Sequence, residues 1–288
     1  MKQILVLGGT GMLGGPVVQR LCADGFDVRL LARDPEKAHA AFDDASEGAA
    51  GFEIVAGDVT DLGSLERALE GCDGVHISVG GPVDQLSAEN VAALAPKLGL
   101  ARITYISGST VSEQNRWFAM VAQKLAAEEA IRESGVPYTT FCPTWPMEQL
   151  PRYAQNGKPM MIGKQPIPVH WFAADDLARM VSTAYQKEEA ADERLFVHGP
   201  EAMTMKHALE RYCQVFHPDG KPVSVMPIWL AKVIGMLTHN DMLKFASSLM
   251  AYFDKVGELG DPTEANRILG APTTTLDAGI ERRKDQLT

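Results

Sequence analysis

The sequence lacks several features that would assign it to whole classes of protein. Its 288 residues carry a formal net charge of -10. No basic surplus is available to neutralise a phosphate backbone, so nucleic acid is not an expected partner. The four cysteines form no Cys-x-x-Cys pair, which is typical of free thiols in a reducing compartment. No signal-like segment precedes the first apolar run, and we expect a cytoplasmic protein.

Long hydrophobic runs and metal-binding motifs are also missing. The most apolar late stretch, residues 227–253, is interrupted by Lys232, His239, Asp241 and Lys244. It therefore predicts two amphipathic helices rather than a membrane span. The seven histidines show no His-x-His or His-Glu-x-x-His spacing. The sequence thus predicts no metal site.

Short apolar runs alternate with segments of helical length through the first half of the chain. The runs lie at residues 4–7, 28–31, 52–55, 75–79, 103–106 and 138–141, with a further one at 195–197. Residues 62–69 and 113–133 are examples of the predicted helices. Because parallel strands need a crossover, usually a helix, this rhythm predicts an α/β fold with a doubly wound parallel sheet of the Rossmann type.

A glycine-rich segment follows the first predicted strand and opens a helix. Gly8, Gly11 and Gly14 are spaced by Thr10, Met12 and Leu13. Glycine permits a tight turn and a close approach of the backbone to a ligand, and the helix N-terminus favours an anion. In this context the segment predicts a loop that binds the pyrophosphate of a dinucleotide.

The end of the second predicted strand bears on which dinucleotide is bound. An acid usually holds the ribose 2′-hydroxyl of NAD here, but this chain has Arg33, with Lys37 one helical turn later. A guanidinium would instead bind a 2′-phosphate, so NADPH is favoured over NADH. Two alternatives remain at this point. Asp34 could pair with Arg33 or turn toward a ribose, and Arg33 could be a solvated loop residue.

Two further strand ends supply candidate contacts to the cofactor. Asp58 and Val59 follow the third strand, where Asp58 could accept a hydrogen bond from the adenine amino group. Asp61 is expected to cap the next helix. Val79 and Gly80 follow the fourth strand, where small residues let the backbone pass near the cofactor, although the glycine could simply form a turn.

The rhythm changes after Cys142. Prolines punctuate the next stretch, a helix is predicted to begin near Asp175 with aspartate as its N-cap, and the chain from Thr204 onward is mostly helical in pattern. We therefore expect an NAD(P)-binding core at residues 1–142. Residues 143–288 would form a smaller, mostly helical lobe on the substrate side, with parts that return to the core.

Six motifs together resemble the atypical short-chain dehydrogenase/reductase superfamily, specifically its NmrA-like NAD(P)-binding proteins. They are Gly8–Gly14, Leu31–Pro35, Gly57–Val59, Lys124–Glu129, Gly135–Thr139 and Asp175–Ala178. They span roughly the first two-thirds of the chain. The resemblance implies a dinucleotide cofactor and leaves the substrate undefined.

The chain departs from the wider superfamily at its catalytic pair. Those enzymes carry Tyr-x-x-x-Lys on a long helix, where the lysine binds the nicotinamide ribose and the tyrosine exchanges a proton with the substrate. Lys124 fits the lysine position, but Met120 stands four residues before it, and no Tyr-x-x-x-Lys occurs in this sequence. Lys124 is accordingly the predicted catalytic and ribose-binding residue, or else an exposed lysine on an amphipathic helix. Ser107, at the end of the fifth strand, is a further candidate for the cofactor region or a turn cap.

Two functions are compatible with these observations. The first is an NADPH-dependent reductase of a small conjugated acceptor, such as a quinone, an enone, a cationic dye or an imine, with Trp145, Met147 and Trp171 either lining its pocket or packing a core. The second is a non-catalytic NAD(P) sensor that acts through a protein partner, as the resemblance to NmrA-like regulators implies. A sugar-nucleotide epimerase is disfavoured because such relatives also carry the Tyr-x-x-x-Lys pair.

Overall fold

The structure is a computed structural model that describes residues 2–46 and 51–285. Its strands are β1 (Gln3–Leu7), β2 (Asp27–Ala32), β3 (Phe52–Ala56), β4 (Gly74–Ile77), β5 (Arg102–Ile106), β6 (Tyr138–Pro143), β7 (Trp145–Pro146), β8 (Met160–Ile162), β9 (Val169–Phe172), β10 (Glu193–Val197), β11 (Glu201–Met203) and β12 (Ser224–Met226). Its α-helices are α1 (Gly14–Ala23), α2 (Pro35–Ser46), α3 (Leu62–Leu69), α4 (Asp84–Leu98), α5 (Ala119–Glu133), α6 (Leu150–Tyr153), α7 (Ala174–Gln186), α8 (Met205–Phe216), α9 (Ile228–Leu237), α10 (Asp241–Phe253), α11 (Thr263–Leu269) and α12 (Leu276–Asp285).

Seven strands form one parallel sheet, in the order β10-β6-β5-β4-β1-β2-β3. The central strand β1 has no exposed side chain from Ile4 to Leu7, as expected where helices cover both faces of a parallel sheet. From β1 the chain builds outward to β2 and β3, and then returns to β4 on the other side of β1. The predicted doubly wound α/β sheet is confirmed. The reversal beside β1 is the position where such sheets bind ligands, beyond the carboxyl ends of the strands.

The chain divides into two compact units, each built from separate stretches. We call the first the sheet unit: it contains the described residues up to Pro143 together with Ala174–Val197 and Gly260–Ala271. The second unit contains Thr144–Ala173, His198–Leu259 and the described residues from Pro272. The sequence-based division at residue 142 stays a prediction, and the structure identifies the later stretches that belong with the sheet.

The second unit is largely helical, with two small sheets in the orders β11-β9-β7 and β12-β8. Its core gathers buried side chains from α6, α8, α12 and the small sheets, with Trp171 and Leu209 among them. The two helices expected within residues 227–253 are present as α9 and α10. In the part of the chain that the structure describes, no helix combines the length and apolar character that a membrane crossing needs.

Two sequence-based boundaries and one predicted helix cap are wrong. The helix predicted from Glu113 begins at Ala119, because a single 3-10 turn at Glu113–Asn115 precedes it and the Asn115 amide donates to the Thr110 carbonyl (2.8 Å). Asp175 lies inside the first turn of α7 and does not precede it. The fourth strand ends at Ile77, which leaves Val79 in the segment beyond it.

Candidate functional site: a dinucleotide cradle on the sheet

The loop between β1 and α1 requires glycine at its first position. Gly8 has φ +83°, which is left-handed backbone, and a Cβ there would lie 2.4 Å from the Ser78 carbonyl oxygen. Any other residue would therefore meet both backbone strain and the strand-end segment after β4. This confines the turn to a tight path over the end of the sheet.

Two further glycines let the loop pack back on itself. A Cβ on Gly14 would lie 2.2 Å from the Gly8 carbonyl oxygen, and one on Gly9 would lie 2.5 Å from Leu30 Cδ1. The spacing of glycines at 8, 11 and 14 was recognised in the sequence, whereas the requirement at Gly9 depends on a contact with β2 that only the fold reveals.

The outer part of the loop is exposed and ends in an uncapped helix. Thr10 and Gly11 are exposed, while Met12 and Leu13 are half-buried. Helix α1 has no side-chain hydrogen bond at its N-cap residue, Leu13, and no acidic residue in its first turn. Its partial positive end is therefore not offset by a carboxylate of its own first turn, which suits the pyrophosphate of a dinucleotide.

The end of β2 presents an exposed cation. Arg33 and Lys37 are both exposed. Asp34, which the sequence left as a possible partner of Arg33, caps α2 instead: its Oδ1 accepts the backbone N–H of Lys37 at 3.0 Å. The Asp34 carbonyl accepts from Ala38 N at 3.1 Å in the same cap. The carboxylate is thus occupied by the helix, and the guanidinium faces solvent.

Asp58 lies at the end of the neighbouring strand β3. Its Oδ1 accepts both the backbone N–H and the hydroxyl of Thr60, each at 2.8 Å. These hydrogen bonds lower the pKa of the Asp58 carboxyl, and the positive charge of Arg33 adds to the effect. A carboxylate is therefore held beside the cationic end of β2. Its contact with an adenine amino group stays a prediction.

The remaining cofactor candidates of this group lie around the same edge. Val59 and Val79 are partly buried and pack against the sheet core, and the Val59 carbonyl accepts from Asn90 Nδ2 at 2.9 Å. Gly80 is exposed, and a Cβ there would meet nothing within 4 Å, so no steric reason requires glycine at this position. The predicted helix cap at Asp61 is confirmed, since its side chain accepts from Gly63 N and Ser64 N.

Lys124 is held by a polar network inside the sheet unit. Its ammonium donates to Asp84 Oδ2 at 2.7 Å, to the Ile106 carbonyl at 3.0 Å and to the Tyr105 hydroxyl at 3.3 Å. The Lys124 and Asp84 side chains are only 15% and 5% exposed. All three N–H bonds thus have protein acceptors, and a ribose hydroxyl would have to replace one of them. Asp84 carried no signal in the sequence because it lies on α4, far along the chain.

Tyr105 does not replace the missing tyrosine. Its hydroxyl lies in the same network and donates to the Asp84 carboxylate at 3.2 Å. The side chain is fully buried, and burial together with the Asp84 charge raises the pKa of its phenol far above the ordinary value. A buried phenol that donates its proton to Asp84 is poorly placed to act as an acid toward a substrate. Met120, at the position of the usual tyrosine, is half-buried.

The apolar residues beside Met120 are only partly core. Val121 is fully buried, but Trp117 is 66% exposed and its ring meets Phe118 edge-on at 6.0 Å. Trp117 lies in the stretch between the 3-10 turn and α5, where the expected helix does not form.

Ser107 belongs to a second buried network. Its hydroxyl donates to Glu128 Oε1, and Arg194 Nε donates to Glu128 Oε2 at 2.8 Å. Arg194 Nη2 also donates to the Val111 carbonyl at 2.8 Å. The structure places Ser107 at the end of β5, as expected, but its hydroxyl proton is committed to Glu128. The assignment of Ser107 and Lys124 as cofactor contacts stays a prediction.

The apolar candidates for a substrate pocket, Trp145, Met147 and Trp171, belong to the second unit, and two of them pack its core. Trp171 and Met147 are buried members of that core, and Trp171 Nε1 donates to the Met203 carbonyl at 3.1 Å. Trp145 is partly buried and meets Phe253 edge-on at 4.9 Å. Of the two roles that the sequence left open for Trp171 and Met147, core packing accounts for their burial.

Comparison with known proteins agrees with this geometry. A family model described as NAD(P)H-binding matches residues 8–187. A reductase of (4-alkanoyl-5-oxo-2,5-dihydrofuran-3-yl)methyl phosphate from Streptomyces griseus is 30% identical over 223 residues, which are 76% of this chain and 75% of that protein. An NAD(P)H azoreductase from Xenophilus azovorans is 27% identical over 252 residues, 83% of this chain and 82% of the relative.

A solved structure shares the fold over almost the whole chain. The triphenylmethane reductase of a Citrobacter species, complexed with NADP(H), superposes with a TM-score of 0.75 at 20% identity, over 98% of this chain and 99% of that one. The glycine loop, the uncapped helix and the exposed Arg33 provide the features that a dinucleotide needs. The predicted dinucleotide cofactor is confirmed, and the chain belongs to the NAD(P)H-binding family of NmrA-like, atypical short-chain dehydrogenase/reductase proteins.

Proposed function

We propose that this protein is an NADPH-dependent reductase of small conjugated acceptors: quinones, enones, cationic dyes or imines. The proposal rests on one observation: none of the residues Met120, Tyr105 and Lys124 is placed to act as the proton donor that the wider superfamily has in its tyrosine. Met120 stands where the wider superfamily has tyrosine. Tyr105 is fully buried, and Lys124 gives all three of its N–H bonds to protein acceptors.

These residues restrict the chemistry that the site can assist. Bound NADPH would supply a hydride. Reduction of an isolated ketone develops alkoxide character and calls for a positioned acid, which neither Met120 nor Tyr105 provides. A conjugated or cationic acceptor spreads or cancels the added charge, so water can deliver the balancing proton afterwards. The residues on this helix thus favour acceptors that need no acid during the hydride step.

The relatives support this class of substrate. The Streptomyces relative is named for an unsaturated, acylated dihydrofuranone phosphate, and the Xenophilus relative for azo compounds. Both are acceptors in which a multiple bond is conjugated. The shared chemistry, rather than either individual compound, is what we transfer to this chain.

Preference for NADPH over NADH rests on Arg33. Its guanidinium is exposed at the end of β2, and the neighbouring Asp34 carboxylate is occupied by the cap of α2. No acid is therefore presented to a ribose 2′-hydroxyl by this pair. A cation in this position supports binding of the 2′-phosphate.

The test is NADPH oxidation against a matched panel of acceptors. We expect turnover with a quinone, an enone or a cationic dye, and none with a saturated ketone of similar size. A Gly11→Val variant, which crowds the exposed part of the loop, should lose turnover while remaining folded. Reduction of the saturated ketone at a comparable rate would contradict the proposal, because it would require an acid that the site does not present.

One observation favours a second function, a redox sensor without turnover. The absence of a positioned proton donor narrows the range of substrates. It would also suit a protein that binds NAD(P) and transmits the redox state of the cofactor to a protein partner. Tight binding of NADPH with no oxidation by any acceptor in the panel, and a different affinity for the oxidised cofactor, would decide for the sensor.

A further inference from the structure

Three potential metal ligands converge in the second unit, from stretches far apart in the sequence. His170 lies on β9, His198 precedes β11, and Glu258 follows α10. One ligand atom from each lies within 4.8 Å of the others. The sequence predicted no metal site because these three residues have none of the short spacings of a metal-binding motif, and only the fold brings them together.

Glu258 is oriented by two contacts with His170. Its Oε2 accepts the backbone N–H of His170 at 2.9 Å, and its Oε1 contacts the imidazole Nδ1. The Glu258 side chain is only 14% exposed. Among the residues described, the one ion pair recorded for this carboxylate is with His170, whose ring is charged only if protonated. A largely buried carboxylate without a fixed cation favours the binding of one.

His198 is the third member of the group and lies beside His170. Its ring stacks on that of His170, with centroids 5.2 Å apart and planes 22° apart. Its Nε2 lies 3.3 Å from the Leu259 carbonyl oxygen, which can accept an N–H from this nitrogen. Metal-binding histidines are commonly oriented by such a hydrogen bond from the other ring nitrogen to a carbonyl.

We propose that His170, His198 and Glu258 bind one divalent transition-metal ion, with Zn²⁺ the preferred ion. Two imidazoles and one carboxylate are a known three-ligand set for zinc, whose fourth position is then taken by water. The His170 side chain is 36% exposed, which leaves a path for the ion and the water. All three ligands belong to the second unit, whereas the dinucleotide cradle belongs to the sheet unit.

The expected consequence is stabilisation of the second unit. A bound ion would join strand β9 to two segments that are otherwise connected to it by hydrogen bonds and ring stacking. Any ligand that binds only the folded state raises the apparent stability. Zn²⁺ should therefore raise the unfolding temperature of the full chain in proportion to the logarithm of its free concentration.

The experiment uses the untagged full chain after removal of metals with a chelator. Titration with Co²⁺, followed by displacement with Zn²⁺, should show one equivalent bound and the strong visible absorption of four-coordinate Co²⁺. His198→Ala and Glu258→Gln should each weaken binding by about 10-fold or more. His207→Ala, at an exposed histidine of α8, is the matched control and should bind as the unaltered protein does.

Two outcomes would overturn the proposal. One is no saturable uptake by the unaltered protein, or only the weak absorption of six-coordinate, oxygen-bound Co²⁺; this holds whether or not the variants fold. The other is equal binding by all three variants, with their fold verified by circular dichroism. NADPH binding, measured in parallel, keeps failure of the metal site distinguishable from failure of the reductase proposal.

Discussion

At the scale of single residues, Arg33 and Lys124 are two cations with different surroundings. Arg33 is exposed at the end of a strand, whereas Lys124 is enclosed with Asp84. An exposed cation is available to a ligand at little cost to the fold. An enclosed one supports the fold first, because its removal leaves the partner charge buried and unpaired.

Replacing Arg33 with alanine is expected to weaken NADPH binding by about 10- to 100-fold, the worth of one or two charge-assisted hydrogen bonds. NADH, which lacks the 2′-phosphate, should bind almost unchanged. Fluorescence titration with both cofactors measures the difference. Arg67→Ala, at an exposed arginine of α3, is the control, and equal losses for the two cofactors would remove the role assigned to Arg33.

Replacing Lys124 with methionine is expected to lower the free energy of unfolding by about 3–5 kcal/mol, because Asp84 then remains buried without its partner. The double variant Lys124→Met, Asp84→Asn should recover part of that loss. Denaturant unfolding of the unaltered protein, the two single variants and the double variant gives the coupling free energy between the two side chains. A Lys124→Met protein that keeps its stability and loses only NADPH affinity would show instead that the lysine serves the cofactor.

At the scale of elements, the tightest constraint is the packing of helix α1 on the loop before it. Gly14→Ala is expected to destabilise the protein by about 1–3 kcal/mol and to weaken NADPH binding, because its Cβ would lie 2.2 Å from the Gly8 carbonyl oxygen. Gly15→Ala is the matched control. Its nearest neighbour would be at 3.6 Å, so it should be neutral or stabilising by up to about 1 kcal/mol. Thermal unfolding of both variants measures whether their stabilities change in opposite directions. Similar losses of stability in the two variants would contradict this prediction.

Local patterns were enough to predict most of the sheet and the glycine loop. The apolar runs of β1 to β6 and β10 are continuous in sequence, and a loop that joins β1 to α1 needs only adjacent residues. The start of α5 was missed because Asn115 bonds to Thr110, a competition that periodicity does not register. The partners of Lys124 and Ser107 were missed because Asp84 on α4 is 40 residues from Lys124 and Glu128 on α5 is 21 residues from Ser107, and only the packed fold brings them together.

At the scale of the whole molecule, one buried histidine is expected to couple stability to pH. His76 on β4 is fully buried, its Nδ1 lies 2.8 Å from Thr104 Oγ1, and its Nε2 has no hydrogen-bond partner among the described residues. Burial lowers the pKa of this imidazole from 6.5 to about 3. The folded protein therefore holds the ring neutral well below neutral pH.

The sign of the effect follows from which state takes up the proton. Below pH 6.5 the unfolded chain protonates His76 and the folded protein does not, so stability is full above that pH and falls by about 1.4 kcal/mol per pH unit below it. Unfolding curves between about pH 7.5 and about pH 5 measure the slope. The free energy of unfolding of His76→Leu should change less with pH over this range than that of the unaltered protein. Identical slopes would show that other histidines take up the proton.

The order of the strands has a consequence for how the protein is made. Strand β10 covers the outer edge of β6 in the large sheet, yet it follows β6 only after the chain has passed through Thr144–Ala173, the first stretch of the second unit. During synthesis, the edge of β6 that faces β10 therefore stays unpaired until residue 197 has emerged, while its other edge can pair with β5. An unpaired strand edge of this kind can pair with a strand of another chain and so lead to aggregation. A protein fragment that ends near residue 143 would contain the intact cofactor loop and still be prone to aggregate, whereas a fragment that extends through β10 would complete the sheet.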